Sequence, residues 1–211
     1  MRTQTISIYR FDELSDSAKE TAREWYRGGA FAYGWCDSVY EWLESTCNAL
    51  GIDVDLKVTY FSGFHAQGSG VALDITCDAA KLLTGIESGK LADINGALEL
   101  PAMPETSPHV LRLIRNEDVE VYAAGSPNTH CRSYSTSYVS GFNLWGGSYG
   151  LTRIEAQCET LAEWCEDVLR EIEHWFFRAL ESEFEYLLSD EVIDETIIAN
   201  EYEFLESGKP A

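Results

Sequence analysis

Basic residues are scarce in this chain. Its 211 residues include 15 Lys and Arg against 36 Asp and Glu, and the formal net charge is −21 at pH 7. A surface of one negative sign repels nucleic acid and anionic membranes, and it attracts basic protein surfaces. We therefore expect no direct binding to nucleic acid and no binding to a membrane, and we expect a protein partner with a basic surface.

The shortage of basic residues is greatest between residues 155 and 206. In this segment only Arg170 and Arg178 stand against 17 Asp and Glu residues. An exposed helix usually mixes both signs, because opposite charges four residues apart stabilise it and like charges destabilise it. The segment therefore gives up helix stability, and either partner binding or solubility would account for this.

The chain also lacks long apolar runs and paired cysteines, and both absences restrict the class of protein. No apolar run approaches the roughly 20 residues that a membrane-spanning helix needs. No CxxC pair occurs, and the six cysteines are scattered at Cys36, Cys47, Cys77, Cys131, Cys158 and Cys165. Scattered cysteines in a soluble chain are typical of reduced thiols, so we expect a cytoplasmic protein.

The first two thirds of the chain predict short helices among strands. Apolar spacing predicts an opening strand over residues 3–11, helices over 15–27 and 34–50, and antiparallel strands over 52–61 and 71–77. Helices broken near Gly85 and Gly89 are expected within 78–98, followed by a proline-rich loop over 100–108. Two more strands are predicted over 110–124 and 131–144, with a turn at 125–128 between them and a hinge at 145–150.

The last third predicts one long helix over residues 154–188. Its apolar seam follows a spacing of four and three residues: Ile154, Cys158, Leu161, Cys165, Val168, Ile172, Trp175 and Ala179. Unbroken, the helix would be about 50 Å long, so we expect it to kink, to project, or to pack against a second copy in a homodimer. Ser189 or Asp190 should cap a short helix that ends near residue 199, and residues 202–205 predict a final strand.

These elements together predict an α+β fold, in which a small antiparallel sheet packs with N-terminal helices and a long C-terminal helix. We expect an α+β core domain over residues 1–150. Residues 151–211 should form an acidic helical segment that packs on the core or projects from it.

The most distinctive local motif is a glycine-rich loop at residues 61–70. Its candidate binding residues are Phe61, Ser62, Gly63, Phe64, His65, Gln67, Gly68 and Gly70. Glycines let backbone amides approach a ligand closely, so an anion or a nucleotide could bind there. The loop lacks a Gly-Lys-Ser/Thr ending, which excludes a P-loop. The alternative is a strand-to-strand loop whose glycines only serve positive φ angles.

Metal binding and nucleophilic catalysis would depend on His65, Cys77, His130 and Cys131. Zinc ligands usually occur as pairs at short spacing, and here only His130 and Cys131 are adjacent. The spacing does not favour a Cys–His nucleophile pair either. We therefore predict no metal site, no catalytic residue and no cofactor.

A second candidate site is a row of acidic residues at four-residue spacing in the long helix. The row consists of Glu155, Glu159, Glu163, Asp167 and Glu171. Successive side chains would lie about 6 Å apart, close to the distance spanned by two nucleotides of a DNA strand. Such a row predicts that the helix mimics nucleic acid towards a basic partner surface, with solubility as the alternative explanation.

Several motifs resemble a family of bacteriophage proteins, many of which are labelled as antitoxins of toxin–antitoxin stability systems. The resemblance rests on Tyr60-Phe61-Ser62-Gly63-Phe64 followed by Gln67-Gly68, on a stretch at residues 11–19, and on residues 183–191 and 195–204. Relatives usually have aspartate before glycine where this chain has Ser69-Gly70, so a role that depends on that aspartate is not expected here.

The resemblance implies a phage-encoded protein that acts in the cytoplasm of a bacterial host. Together with the charge, it implies a non-enzymatic binding protein that inhibits a host protein, such as a defence factor. Two alternatives stay open. One is a protein that binds, sequesters or turns over a small anion or nucleotide at the 61–70 loop, and the other is a housekeeping or structural phage protein.

Overall fold

The computed structural model describes residues 6–29, 34–95, 97–130, 133–144 and 152–211. Within these ranges, helices alternate with short antiparallel strands and a long helix lies near the C-terminus, so the predicted α+β class is confirmed. The chain forms two compact units. The larger unit is Ser38–Glu181, and the smaller unit combines Met1–Asp37 with Ser182–Ala211. These bounds differ from the predicted division at residue 150, because most of the long helix belongs to the larger unit.

The larger unit contains most of the helices and strands. Its helices are α2 (Asp37–Leu50), α3 (Ala79–Ser88), α4 (Lys90–Ile94), α5 (Pro108–Arg115) and most of α6 (Thr152–Leu187), and its strands are β2 (Asp53–Val54), β3 (Tyr60–Phe61), β4 (Val71–Ala72), β5 (Ile75–Asp78), β6 (Val119–His130) and β7 (Ser133–Leu144). Strands β2, β5, β6 and β7 form an antiparallel sheet in that order, and β3 pairs with β4 in a separate two-stranded sheet.

The predicted strand over residues 52–61 is wrong as one element. A 3₁₀ turn at Leu56–Val58 interrupts it, so that β2 pairs with β5 while β3 pairs with β4. The side chain of Asp55 accepts a hydrogen bond from the N–H of Lys57, and the hydroxyl of Thr59 donates to the Asp55 carbonyl. These local bonds bend the chain, which the alternation of apolar residues alone does not reveal.

The predicted strand over residues 110–124 is also wrong in its first part, where α5 forms instead. Ser107 caps this helix by accepting a hydrogen bond from the N–H of Val110, and Pro108 occupies its first turn. Proline is favoured there because the first N–H groups of a helix have no partner within the helix. The proline-rich loop before α5 is confirmed.

The turn predicted at residues 125–128 is wrong, because β6 continues through it to His130. Strand β5 pairs with β6 only as far as Gly125, so beyond that point β6 pairs with β7 alone. Pro127 lies in this outer part. Because β5 does not pair with β6 there, the missing N–H of Pro127 removes no hydrogen bond between these two strands. The predicted hinge at 145–150 lies outside the described residues.

Helix α3 runs through Gly85, where a break was predicted, and ends at Gly89 as predicted. A Cβ atom at Gly85 would lie 2.5 Å from the backbone of Leu50, so glycine allows α3 to pack directly against the end of α2. Gly89 has a left-handed φ of 69°, a conformation that ends helices and that glycine adopts without strain.

Helix α6 is unbroken and buries its apolar seam within the chain. Cys158, Leu161, Cys165, Val168, Leu169, Ile172 and Phe176 are fully buried. Phe176 packs edge-on against Tyr40 of α2, and the indole of Trp164 donates a hydrogen bond to the carbonyl of Pro101. The seam therefore gives no reason to expect a second copy, and the homodimer stays a prediction.

The smaller unit contains β1 (Tyr9–Arg10), α1 (Asp16–Gly29), α7 (Asp190–Ala199) and β8 (Glu203–Phe204). Its core consists of Phe11, Leu14, Ala18, Ala22, Ile193, Ile197 and Phe204. Arg23 binds Asp194 through two hydrogen bonds of 2.7 Å, which joins α1 to α7. Ser189 caps α7 as predicted. The opening strand is confirmed only at β1, because Phe11 begins a 3₁₀ turn and residues 1–5 lie outside the described part.

Candidate binding surfaces

Internal hydrogen bonds hold the 61–70 loop between β3 and β4. The N–H of Ser62 donates to the Gly70 carbonyl, and the Ser62 hydroxyl donates to the Gly68 carbonyl. Ala66 and Ser69 are joined by two further bonds, one through the Ser69 hydroxyl. Three backbone N–H groups of the loop are therefore engaged within it and are not available to an anion.

The backbone geometry of the loop explains why glycine occupies positions 63, 68 and 70. Gly63 and Gly68 have positive φ angles of 74° and 92°. A Cβ atom at Gly70 would lie 2.4 Å from the carbonyl oxygen of Tyr134, and the N–H of Tyr134 donates to the Gly68 carbonyl. The loop thus packs against β7, the edge strand of the larger sheet, and covers backbone groups that an edge strand would otherwise expose.

Phe64 of the loop contacts α6, while two of the polar side chains of the loop point to solvent. Phe64 stacks on Phe61 and packs against Phe177 of α6 at 5.6 Å between ring centroids. His65 and Gln67 are exposed, and Nδ1 of His65 lies 4.0 Å from a carboxylate oxygen of Glu181. The structure therefore leaves His65 and Gln67 as the large side chains of the motif that a partner could contact.

The acidic row of α6 is exposed only in its middle. Glu159, Glu163 and Asp167 are exposed, whereas Glu155 and Glu171 are half-buried. Four residues turn a helix by about 400°, so each step of the row moves about 40° around the axis. The row therefore winds from one edge of the exposed face to the other, and the role of the five residues in partner binding stays a prediction.

The three exposed acidic residues have no ion pair and no hydrogen bond to another side chain among the described residues. Other carboxylates of α6 are engaged. Glu171 accepts a hydrogen bond from Arg178 at 2.9 Å, and Glu166 accepts bonds from Arg170 and from the Ser140 hydroxyl. Here, Glu159, Glu163 and Asp167 are named the acidic triplet.

The outward face of α6 changes sign after the acidic triplet. Arg170, His174 and Arg178 are exposed on the same side of the helix, with 49%, 67% and 61% of their side chains accessible. They repeat at four-residue spacing, like the triplet. We name these three residues the basic triplet.

A polar network fixes the side of α6 that packs on β7. Tyr138 donates a hydrogen bond to Glu173, and the guanidinium of Arg170 lies 4.4 Å from the centre of the Tyr138 ring. Burial and the charge of Glu173 raise the pKa of Tyr138. The hydrogen bonds from Arg170 lower the pKa of Glu166. At neutral pH, Tyr138 therefore stays protonated, while Glu166 and Arg170 stay charged. These contacts hold Arg170 at the border of the outward face.

The residues considered for metal binding do not converge. Cys77 is buried beside Cys165. The contact with the Cys165 thiol and the burial both raise the pKa of Cys77. Cys77 pairs with Ala123 of β6, which lies seven residues before His130 on the same strand. Cys77 and His130 are therefore about 23 Å apart along the strand direction. His65 lies near Glu181, and Cys131 lies outside the described residues. The described cysteines Cys36, Cys47, Cys77, Cys158 and Cys165 are free thiols.

A family profile matches most of this architecture. The profile describes a domain of unknown function, DUF8835, and it covers residues 35–190. The chain belongs to the DUF8835 family. The DUF8835 region includes the 61–70 loop and both triplets of α6, whereas β1, β8 and most of α7 lie outside it. No curated protein and no solved structure matches the chain. Among the described residues, none of the helices has the length and apolar character needed to cross a membrane.

The sequence interpretation missed the basic triplet. The segment 155–206 contains only two arginines, and counting charges over its whole length hides the fact that both lie on the exposed face beside His174. Plotting α6 at 100° per residue would have placed them there, since the apolar seam defines the buried side.

Proposed function

We propose that the protein is a non-enzymatic binding protein whose acidic triplet contacts a basic surface of another protein. The observation that carries this proposal is the contrast within α6. Glu166, Glu171 and Glu173 are engaged within the chain, while the triplet is exposed and unpaired among the described residues. Like charges four residues apart cost about 0.2–0.5 kcal/mol per pair, so a use outside folding accounts for their presence.

The rigidity of the helix supports this use. The triplet lies on an unbroken helix whose opposite side is fully buried, so its carboxylates are held in place before a partner arrives. A preorganised surface loses less entropy on binding than a mobile one. The triplet spans about 12 Å along the helix, which fits a compact basic patch better than an extended groove for duplex DNA. The acidic triplet is thus long enough to mimic only a few phosphates of a nucleic acid.

The resemblance to phage proteins suggests which proteins to search for the partner. We infer a partner in the bacterial host, where the protein acts as an inhibitor, for example of a defence factor. The alternative of a small-anion site at the 61–70 loop receives no comparable support, because three N–H groups of that loop are already engaged.

Capture of partners from bacterial lysate tests the proposal. The wild-type protein should retain a host protein at low salt and release it at high salt, because exposed charge pairs are screened over about 10 Å at 0.1 M salt. The triple variant Glu159→Lys, Glu163→Lys, Asp167→Lys should bind that protein at least about tenfold more weakly, since each exposed pair lost contributes up to about 1 kcal/mol.

The matched control is the variant Glu41→Lys, Glu44→Lys. Both residues are exposed on α2 in the same unit, so the control also changes the net charge and keeps the core intact. It should retain the partner. Equal loss of binding in both variants would attribute the effect to net charge, and full binding by the triple variant would remove the triplet from the proposal.

A further inference from the structure

The charge pattern on the outward face of α6 complements itself when the helix is reversed. The midpoint between the two triplets lies between Val168 and Leu169. Glu159 lies as far before this midpoint as Arg178 lies after it. The same holds for Glu163 with His174 and for Asp167 with Arg170, so each acidic position has a matching basic position.

We propose that two copies of this chain associate through the outward faces of α6, in antiparallel orientation about a two-fold axis at that midpoint. Each acidic triplet then faces the basic triplet of the second copy. A symmetric dimer needs such a self-complementary surface, because the same patch must serve on both copies. This proposal is independent of the proposed function, since the charge match stands whether or not a host partner exists.

The geometry of helix packing agrees with the match. Both triplets follow rows of four-residue spacing, and such rows are inclined to the helix axis. Rows of this kind on two helices align when the helices cross at about −50°, the commonest packing angle in globular proteins. At this angle the acidic row of one copy runs along the basic row of the other.

The exposure of the basic triplet leaves it able to contact a second copy. About half or more of the side chains of Arg170, His174 and Arg178 is accessible. The two arginines bind Glu166 and Glu171 of their own helix, but each guanidinium has five N–H donors and can bind a further carboxylate. The contact therefore adds ion pairs without removing those within the chain.

A second copy is the occupant that the charges favour. The chain carries −21 overall, so most orientations of two copies repel each other. In the antiparallel contact through α6, opposite charges meet where Glu159 faces Arg178 and where Asp167 faces Arg170. The contact contains charged and small polar groups, so we expect a weak, salt-sensitive dimer in equilibrium with the 23.7 kDa monomer. A basic host protein would compete for the acidic triplet and shift this equilibrium towards monomer.

Sedimentation equilibrium of charge-reversed variants tests the dimer. At low salt the wild-type protein should show a dimer that dissociates at high salt. Glu159→Arg alone and Arg178→Glu alone should each weaken the dimer about tenfold, because each places two like-charged pairs at the interface. Both variants should keep the far-ultraviolet circular dichroism of the wild type, since both positions are exposed.

Mixing gives the decisive result. An equal mixture of the two single variants should form a heterodimer with the wild-type dissociation constant, because every pair is then opposite in sign again. The double variant Glu159→Arg, Arg178→Glu should likewise form a homodimer. A wild-type protein that is monomeric at low salt would overturn the proposal. So would a mixture that remains as weakly associated as its components.

Discussion

Glu201 has a left-handed backbone conformation that residues other than glycine rarely adopt. Its φ is 51°, and it directly follows Asn200, which ends α7. The N–H groups of Glu201 and Tyr202 donate to Ile198 and Ile197, which is the arrangement that usually places glycine at this position. The left-handed conformation costs a residue with a Cβ atom about 1–2 kcal/mol.

We therefore expect Glu201→Gly to stabilise the protein by about 0.5–1 kcal/mol, because the strain removed exceeds the extra freedom that glycine gives the unfolded chain. Urea denaturation followed by tryptophan fluorescence measures the change. Glu203→Gly is the matched control, since it removes the same exposed charge from strand β8. It should destabilise the protein, and equal effects of both changes would show that charge, not backbone strain, is responsible.

At the scale of elements, the contact between α6 and β7 should depend on pH. Glu166 binds Arg170 and the Ser140 hydroxyl, and the hydrogen bonds from Arg170 hold its pKa below the ordinary value of 4.5. A carboxylate with a lowered pKa in the folded state stabilises that state above its ordinary pKa. This stabilisation is lost as the pH falls through the lowered value.

Glu166→Gln should therefore reduce the free energy of unfolding by about 1 kcal/mol at pH 7, where a charged hydrogen bond is lost. The difference between variant and wild type should shrink as the pH is lowered below 4.5. Denaturation curves at a series of pH values measure it. Glu163→Gln serves as the control and should not be destabilised at pH 7, because Glu163 is exposed. A deficit of Glu166→Gln that persists unchanged at low pH would contradict the assignment.

Elements with a long period or a clear cap were predictable from the sequence. The seam of α6, the cap of α7 at Ser189 and the end of α3 at Gly89 were all predicted and are confirmed. The prediction for residues 110–114 was wrong because a short segment of Val, Leu and Ile is typical of a strand as well as of a buried helix. The start signal Ser107-Pro108 carried the decisive information.

The candidate sites were predictable in their membership and less so in their arrangement. The sequence identified the acidic residues of α6 and their four-residue spacing, but not which of them are exposed. A helix has 3.6 residues per turn, so such a row winds around the axis, and its end residues Glu155 and Glu171 are half-buried. For the 61–70 loop, the close approach of Gly70 to Tyr134 depends on a contact distant in sequence, which a local motif does not reveal.

At the scale of the whole molecule, the net charge describes the surface poorly. The acidic excess of −21 coexists with a basic triplet on the outward face of the longest helix. The total charge sets long-range repulsion from nucleic acid, while the local pattern decides which protein surface fits. Both the host partner and the second copy are proposed to use this face, and they should exclude each other.

One measurement tests most directly whether the outward face of α6 is a contact surface. A photo-cross-linking residue at Thr160, which is exposed beside the acidic triplet, leaves all six side chains of the two triplets in place. Illumination in bacterial lysate at low salt should give a discrete adduct with a host protein, and the same residue at Glu44 of α2 should not. A cross-linker at Thr160 that yields no adduct beyond those formed at Glu44 would contradict this account.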